Sequence, residues 1–334
     1  MVKNIKRRVL ITGATGFVGS AFVKRLIKEP GLTLRCLVRD SKQLGSLECL
    51  RERIELVQGD ITRPETLHEA FEDVWGVVNL AGYREFWSRD HSHYYNINQK
   101  GAENVFFAAC QAKVEKAVQV STPLAFGVPK HLPFNESSNA RNHPSHYGRS
   151  KFKGDEAVWQ MHKERALPLS IVYLAAVIGA GDDNATMEVK RAMDGRLPAL
   201  VGADTTYTYV YIGDAVEAIK RALLLEKTIG ERYLIGTERA TTREYFNIIG
   251  KLAGVRIPKM NIPERLLKPV SSVMELSSRI TGNRPMLPMD VLKTTASGSL
   301  LFDGTKAEQA LNMDYTSLEY ALNESIQDLL AEVA

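Results

Sequence analysis

Across 334 residues there is no apolar run of about 18, the length a spanning helix needs, so no ordinary membrane-spanning helix and no stable membrane insertion are expected. Cysteine is scarce. Cys36, Cys49 and Cys110 share no metal-ligand spacing and read as buried or incidental thiols of a reducing compartment, so no metal site is expected. Charge of one sign is missing too: 43 Lys and Arg face 39 Asp and Glu, a net of +4, too balanced for a nucleic-acid partner. The short basic stretch Lys3–Arg8 runs into a glycine-punctuated strand, without the apolar region and small-residue cleavage site of a secretory signal. Repeats and low-complexity tracts are absent. These absences leave a globular chain of cytoplasmic type, long enough for a large single core or two lobes.

The strongest positive signal is Val9-Leu10-Ile11-Thr12-Gly13-Ala14-Thr15-Gly16-Phe17-Val18-Gly19, which reads as strand, tight turn and helix start. Phe22, Val23, Leu26 and Ile27 then share one helical face. Such a layout sets a helix N-terminus against a cofactor pyrophosphate. Gly13 permits the turn, Gly16 lets the backbone approach the phosphates, and Gly19 lets helix and strand pack closely. The spacing alone is weak, and its place between a strand and a helix strengthens it.

Further strands are predicted at Thr33–Arg39, Ile54–Gln58, Gly76–Leu80, Lys116–Ser121 and Leu169–Leu174. Helical stretches lie near Ser41–Arg53, Pro64–Phe71, Asn98–Gln111 and Ser150–Lys163. Such alternation predicts an α/β fold, a doubly wound parallel sheet with helices on both faces. Residues 1–178 form the dinucleotide-binding domain in this reading, with elements near 207–238 returning to it, and 179–334 are mainly a smaller C-terminal substrate lobe. Pro258–Pro269 breaks the regularity before an amphipathic segment, Val270–Ile280. There Val270, Val273, Met274 and Leu276 recur at helical spacing, which predicts a lid packed over the lobe, with membrane-surface contact as the alternative.

Tyr147 and Lys151 stand four residues apart in Tyr147-Gly148-Arg149-Ser150-Lys151, so a helix would present both on one face. The same spacing occurs on any solvated helix, and it gains meaning only beside a nicotinamide site. A carbonyl receiving hydride needs a proton donor. A free phenol titrates near pH 10, and poising it near neutrality asks for about 4 kcal/mol. An ammonium about 4 Å away, at an effective dielectric of about 20, supplies that much. Val118-Gln119-Val120-Ser121-Thr122 ends a predicted strand in two hydroxyls, where parallel sheets bind ligands.

Together these segments resemble the extended branch of the short-chain dehydrogenase/reductase superfamily, over almost the whole chain. The resemblance rests on Thr12–Gly19, Gly59-Asp60-Ile61, Asn79-Leu80-Ala81-Gly82, Asn98–Val105, Ser121-Thr122, Tyr147 with Lys151, and Tyr211-Ile212-Gly213-Asp214. It implies a Rossmann-type fold, Tyr147 as general acid/base, Lys151 as its partner on the nicotinamide ribose, and Thr122 as the hydroxyl that holds the substrate carbonyl. It further implies a cofactor-binding set of Gly13, Thr15, Gly16, Phe17, Val18, Gly19, Asp60, Ile61, Leu80, Ala81, Gly82, Leu174 and Val177, with Asp60 and Ile61 beside the adenine. A homodimer through the helices starting near Asn98 and Ser150 is implied too, with Phe106, Phe107, Phe152 and Val158 available to fill it.

Leu37-Val38-Arg39-Asp40 ends the second predicted strand. An arginine there suits a 2′-phosphate and an aspartate a free ribose hydroxyl. With Lys42 near, Arg39 favours NADP(H); Asp40 leaves NAD(H) open. The sugar-nucleotide epimerases and dehydratases of this superfamily commonly carry an arginine–aspartate pair where this chain has Tyr207 and Thr208, and Arg-Pro at the sixth strand's end where it has Tyr173-Leu174-Ala175. A site lacking those arginines is poorly equipped for a diphosphate. Tyr83-Arg84-Glu85-Phe86-Trp87 leaves the cofactor strand towards the cleft, so Tyr83, Phe86 and Trp87, with Thr122, are candidate substrate residues. The loop is similar to those of dihydroflavonol-reductase-like and 3β-hydroxysteroid-dehydrogenase-like members, and also to those of proteins labelled hopanoid-associated sugar epimerases. The expected activity is NADP(H)-dependent reduction of a small hydrophobic ketone, or oxidation of the secondary alcohol. The alternatives are a sugar epimerase/dehydratase holding NAD, and a non-catalytic nucleotide sensor.

Overall fold

The computed structural model describes residues 6–139, 142–283, 285 and 287–333. The first half alternates strand and helix: β1 (Arg7–Thr12), α1 (Phe17–Leu26), β2 (Leu32–Val38), β3 (Glu55–Gln58), β4 (Gly76–Asn79), α2 (Ser92–Tyr95), α3 (Ala102–Ala112), β5 (Lys116–Ser121), α4 (His146–Arg165) and β6 (Leu169–Leu174). Val, Leu and Ile dominate these strands, and every residue of β4 and β6 is buried, as a sheet covered on both faces requires. The main sheet has seven strands, all parallel, in the order β3-β2-β1-β4-β5-β6-β10, with β10 at Arg232–Ile235. The chain winds outwards from β1 in one direction and from β4 in the other. The carboxyl ends of β1 and β4 therefore flank the crevice where doubly wound sheets take their ligands.

After β6 a second region forms from β7 (Ala176–Ile178), α5 (Asp183–Met193), β8 (Leu200–Val201), β9 (Thr206–Tyr211), α6 (Ile212–Leu224), β11 (Glu238–Thr241), α7 (Thr242–Ala253), β12 (Asn261–Ile262), α8 (Glu264–Thr281), α9 (Met289–Ala296), α10 (Thr305–Leu311) and α11 (Leu318–Val333). Sheets of three strands (β11-β9-β7) and two (β12-β8) share a separate core around Val189, Leu200, Tyr245, Ile249, Leu322 and Ile326.

Several expectations need correction. Phe302, Ala307, Leu311 and Met313, in the stretch read as mainly substrate lobe, pack into the core of the main sheet, because α10 lies against the edge strand β10. Ser41–Arg53 and Pro64–Phe71 form short 3₁₀ segments (Gly45–Arg53, Pro64–Leu67 and Glu69–Phe71) in place of α-helices. Helix α8 runs straight through Pro269, where a break was expected. A proline removes one intrahelical hydrogen bond, and the turns beyond it continue. The lid reading of Val270–Ile280 also fails for its apolar side: Val270, Val273 and Leu276 are exposed. Two of the four residues expected to fill a dimer interface, Phe106 and Val158, are buried in this chain's own core, while Phe107 is exposed beneath the Arg165 guanidinium. Phe152 stacks at a tilt on His143.

Candidate active site

The turn after β1 shows why its glycines are glycines. Gly13 has φ +67°, and a Cβ there would lie 2.5 Å from the Ala81 nitrogen, so any side chain would collide with the backbone that leaves β4. At Gly19 a Cβ would lie 2.0 Å from the Gly13 oxygen, which is how α1 packs so tightly on its turn. Gly16 differs. A Cβ there would meet nothing nearer than 3.4 Å, and the residue is exposed, so the protein itself does not demand a glycine. A glycine there leaves the open side of the turn clear for close approach of a ligand. No side chain caps α1 and no acid stands in its first turn, so its positive end is not answered from within. By contrast, Thr241 and Glu244 form a full capping box on α7. The turn therefore fits a dinucleotide pyrophosphate. Thr15 is exposed on the turn, and Phe17 and Val18 open the helix half-buried.

Behind this turn a row of polar side chains crosses the sheet. Thr12, Asn79 and Gln119 are neighbours in register on β1, β4 and β5. Thr12 Oγ1 donates to Asn79 Oδ1 at 2.5 Å, Asn79 Nδ2 to Gln119 Oε1 at 2.8 Å, and Gln119 Nε2 to Asp155 Oδ1 at 3.3 Å. Ser121 Oγ closes the row on Asp155 Oδ2 at 2.5 Å. All five residues are buried, so each bond removes a desolvation cost, and the row holds the β1–β4–β5 ends in fixed relation. The Ala81 N–H adds a bond to Thr12 Oγ1 at 3.4 Å.

Helix α4 places Tyr147, Lys151 and Asp155 at successive four-residue steps on one face. Ser145 caps its start, accepting the Gly148 N–H at 3.1 Å, and a Cβ on Gly148 would lie 2.8 Å from the Leu124 oxygen, so α4 sits close against the end of β5. There Thr122 hydrogen-bonds the Tyr147 side chain, whereas Ser121 is turned away to Asp155. Burial pushes the Tyr147 phenol up to about 12, with Thr122 and Arg84 pulling the other way. Burial lowers Lys151, and burial raises Asp155 to about 6 against the pull of Lys151. Lys151, expected to lower the phenol with the oxidised nicotinamide adding to it, is engaged elsewhere in this structure. Its ammonium donates to the Val120 carbonyl at 2.8 Å and faces Asp155, so its charge is directed there.

In the sequence Asn98 stands only as the start of a motif segment, with no role of its own, and Asp155 is not singled out. Asn98 lies in a π-turn, Asn96–Gly101, and is buried; its amide accepts the Tyr83 N–H at 2.7 Å and donates to the Tyr83 carbonyl and to Ser150 Oγ, both at 2.9 Å. It thereby pins the loop after β4 to α4. One available signal was an Asp one turn beyond Lys151; Asn98 stands among Asn96, Gln99, Lys100 and Asn104, and no pattern marks it.

That loop carries Phe86 onto Tyr147, edge to face with ring centroids 5.8 Å apart. Tyr83 packs on Tyr94 at 5.0 Å, and its backbone is the part Asn98 holds. Trp87 and Phe86 line a cavity of about 120 Å³ with Tyr94, His91, His146 and the α8–α9 residues Glu275, Met289, Asp290 and Lys293. Arg84 crosses to the buried Asp182 at 3.8 Å.

The remaining candidates surround the crevice. Arg39 is exposed directly after β2. The Asp40 carboxylate is engaged locally, accepting the Lys42 N–H at 2.8 Å and Gln43 Nε2 at 2.9 Å. Lys42 is exposed. Asp60 accepts the Thr62 N–H and hydroxyl, each at 2.8 Å; burial pushes its carboxyl up, but those bonds, with Arg39 and Arg63, outweigh it and hold it below the usual range. Ile61 is buried against Gly101. Leu80, Ala81 and Gly82 follow the end of β4, and Leu174 and Val177 end β6 and fill the middle of β7. Among the described residues no cluster of His, Cys, Asp or Glu could hold a metal ion.

A glycine turn at the switch point of a doubly wound sheet, with a phenol and an ammonium one helical turn apart on an α4 that packs beside β5, is the arrangement of an NAD(P)-dependent enzyme. Residues 9–236 match the NAD dependent epimerase/dehydratase family, and the chain belongs to it. It is 28% identical to a 2-alkyl-3-oxoalkanoate reductase of Shewanella oneidensis, over 97% of this chain and 85% of that one. It is 24% identical to the N-acetyl-alpha-D-glucosaminyl-diphospho-ditrans,octacis-undecaprenol 4-epimerase of Escherichia coli O157:H7, over 96% and 94%. Among solved structures, that of gox2253 superposes with a TM-score of 0.82 at 29% identity, covering 97% of this chain and 98% of that one. Reductases and sugar epimerases thus both stand among its relatives.

Proposed function

We propose that the protein reduces a hydrophobic ketone, or oxidises the matching secondary alcohol, with NADP(H). The observation that carries this reading is the edge-to-face packing of Phe86 on Tyr147, which gives the proton donor an apolar neighbour on the substrate side. The positions where diphosphate-gripping residues were sought point the same way. Thr208 is buried and donates to the Leu300 carbonyl at 3.2 Å, and the Tyr207 hydroxyl reaches Thr295 Oγ1 at 3.4 Å, so both serve the fold. The similarity to a 2-alkyl-3-oxoalkanoate reductase supports the reading further. For the cofactor, an exposed Arg39 suits a 2′-phosphate, while Asp40 is already occupied by its own turn.

The Gly13–Gly19 turn would hold the pyrophosphate and Arg39 the 2′-phosphate. When bound, the reduced cofactor supplies a hydride to the carbonyl carbon. Thr122 donates a hydrogen bond to the carbonyl oxygen, and Tyr147 passes its phenolic proton to that oxygen as the alcohol forms. A phenol pushed up to about 12 stays protonated at neutral pH, the state that reduction needs. Lys151 would hold the ribose, its ammonium kept in place by the Val120 carbonyl and Asp155. Phe86, with Trp87 beside it, keeps water from the reacting carbon.

The competing reading is an epimerase that keeps NAD bound, and the Arg84 guanidinium near Tyr147 is the feature that favours it. A single experiment separates them. The protein is mixed with NADPH and an aryl or alicyclic ketone, and separately with UDP-hexoses, and cofactor release is followed on dilution. The reductase reading expects one alcohol per NADPH consumed and free release of cofactor. Hexose interconversion without net NADPH consumption would overturn it.

A further inference from the structure

Helix α8 separates two environments. On its inner side Ser271 and Ser278 are buried, and Glu275 accepts the Met289 N–H at 2.9 Å and lines the cavity beside Phe86 and His146. On its outer side Leu266, Val270, Val273 and Leu276 are 64%, 45%, 69% and 63% exposed. At about 100° per residue these four fall within an arc of about 120°, the width of an apolar helix stripe. Single exposed apolar residues need no explanation, but a continuous stripe along an 18-residue helix does. Met260, four residues ahead of the helix, is 58% exposed as well.

Charge selects the occupant. Between residues 256 and 284 the sequence carries Arg256, Lys259, Arg265, Lys268, Arg279 and Arg284 against Glu264 and Glu275, so this stretch alone accounts for the chain's net charge of +4. A second copy docked stripe on stripe would bring two such positive segments together. An anionic surface would be attracted by them. Among the described residues no helix is long and apolar enough to cross a membrane; a helix with one apolar face and basic residues around it can instead lie in the plane of an anionic surface.

We propose that the outer face of α8 docks on an anionic lipid surface, with the cavity wall immediately behind it. A bilayer-dissolved amphiphilic ketone or alcohol then reaches the Tyr147 cleft beside α8 without passing through bulk water. This second statement rests on the reductase reading; the docking does not.

The test is flotation of the full chain with vesicles of phosphatidylcholine alone and of phosphatidylcholine with phosphatidylglycerol, beside a V273E/L276E variant. The wild type is expected to float at least tenfold more with the anionic vesicles, and to detach as salt is raised. The variant, altered only at exposed positions, should float at least tenfold less while its melting temperature and NADPH binding match the wild type. A wild type that sinks with both vesicles, or a variant that floats like the wild type, overturns the proposal. So does a wild-type dimer in light scattering that V273E/L276E converts to a monomer without any flotation, since the stripe would then join two copies. Flotation needs no turnover, so a protein that floats and reduces no ketone would overturn the reductase reading alone.

Discussion

The two walls of the cleft are built in different ways. On the cofactor wall, backbone lies against backbone: Gly13 against Ala81, Gly19 against Gly13, and behind them the fully buried row from Thr12 to Asp155. On the substrate wall, side chains do the work. Phe86 and Trp87 stand on a loop held chiefly by Asn98, and the α8–α9 pair closes the cavity while leaving its own outer stripe uncovered. The first wall tolerates little change of shape, because Gly13 and Gly19 leave no room for a side chain and the row behind them is buried and hydrogen-bonded. The second can exchange one apolar surface for another. A family with a shared cofactor and many substrates is expected to divide its cleft in this way.

The largest effect should come from Gly13→Val on the cofactor wall. A side chain at φ +67°, 2.5 Å from the Ala81 nitrogen, should cost about 3 kcal/mol or more, and NADPH binding should be lost. Calorimetric melting and cofactor titration measure both. A variant that melts and binds like the wild type would mean that the turn is not rigid.

Asp155→Ala should cost about 2–4 kcal/mol, since it leaves Lys151 uncompensated and buried donors on Ser121 and Gln119 unpaired. The pH dependence is a sharper test. The Asp155 carboxyl is raised from 3.8 to about 6 in the folded protein. Between those values the folded state holds a proton that the unfolded state has released, so the stability this group contributes falls as pH rises across the window. Asp155→Asn removes that slope. Denaturant melts should therefore show the variant gaining on the wild type from about pH 4 to pH 6. A constant difference across the window would show that the carboxyl is not raised.

Arg39→Ala should weaken NADPH by about 1.5–3 kcal/mol, or roughly 10- to 150-fold, and leave NADH nearly unchanged. A wild-type preference for NADH that Arg39→Ala does not alter would make Asp40 the reader of a free ribose. The smallest effect belongs to the substrate wall. Phe86→Ala should raise KM for a hydrophobic ketone about tenfold, the scale of one lost aromatic contact, with NADPH affinity and melting temperature unchanged. Equal losses in cofactor binding would show that the two walls are coupled.

The same division decided what the sequence could reveal. Strand after strand was legible because buried β-strands are rich in Val, Leu and Ile, and the glycine turn because its spacing is dictated by backbone contact. Tyr147 and Lys151 were legible through their four-residue step. The Thr12–Asn79–Gln119 row was hidden, because strand register becomes visible only once the strands are paired. The return of Phe302 and Leu311 to the main core was hidden for a similar reason: their periodicity says that they are buried, not against which sheet. Helix α8 misled twice, through a proline that the helix absorbs and an apolar face that nothing in the described chain covers.

The central claim is that Tyr147 delivers a proton to a carbonyl held against an apolar wall. Single-turnover oxidation of bound NADPH by an aryl or alicyclic ketone, in wild type and Tyr147→Phe, tests it most directly. Loss of the phenolic proton should slow the step at least about 100-fold while NADPH binding is retained, because only the oxygen is removed and the Phe86 contact stays. A variant that turns over at the wild-type rate would contradict the claim.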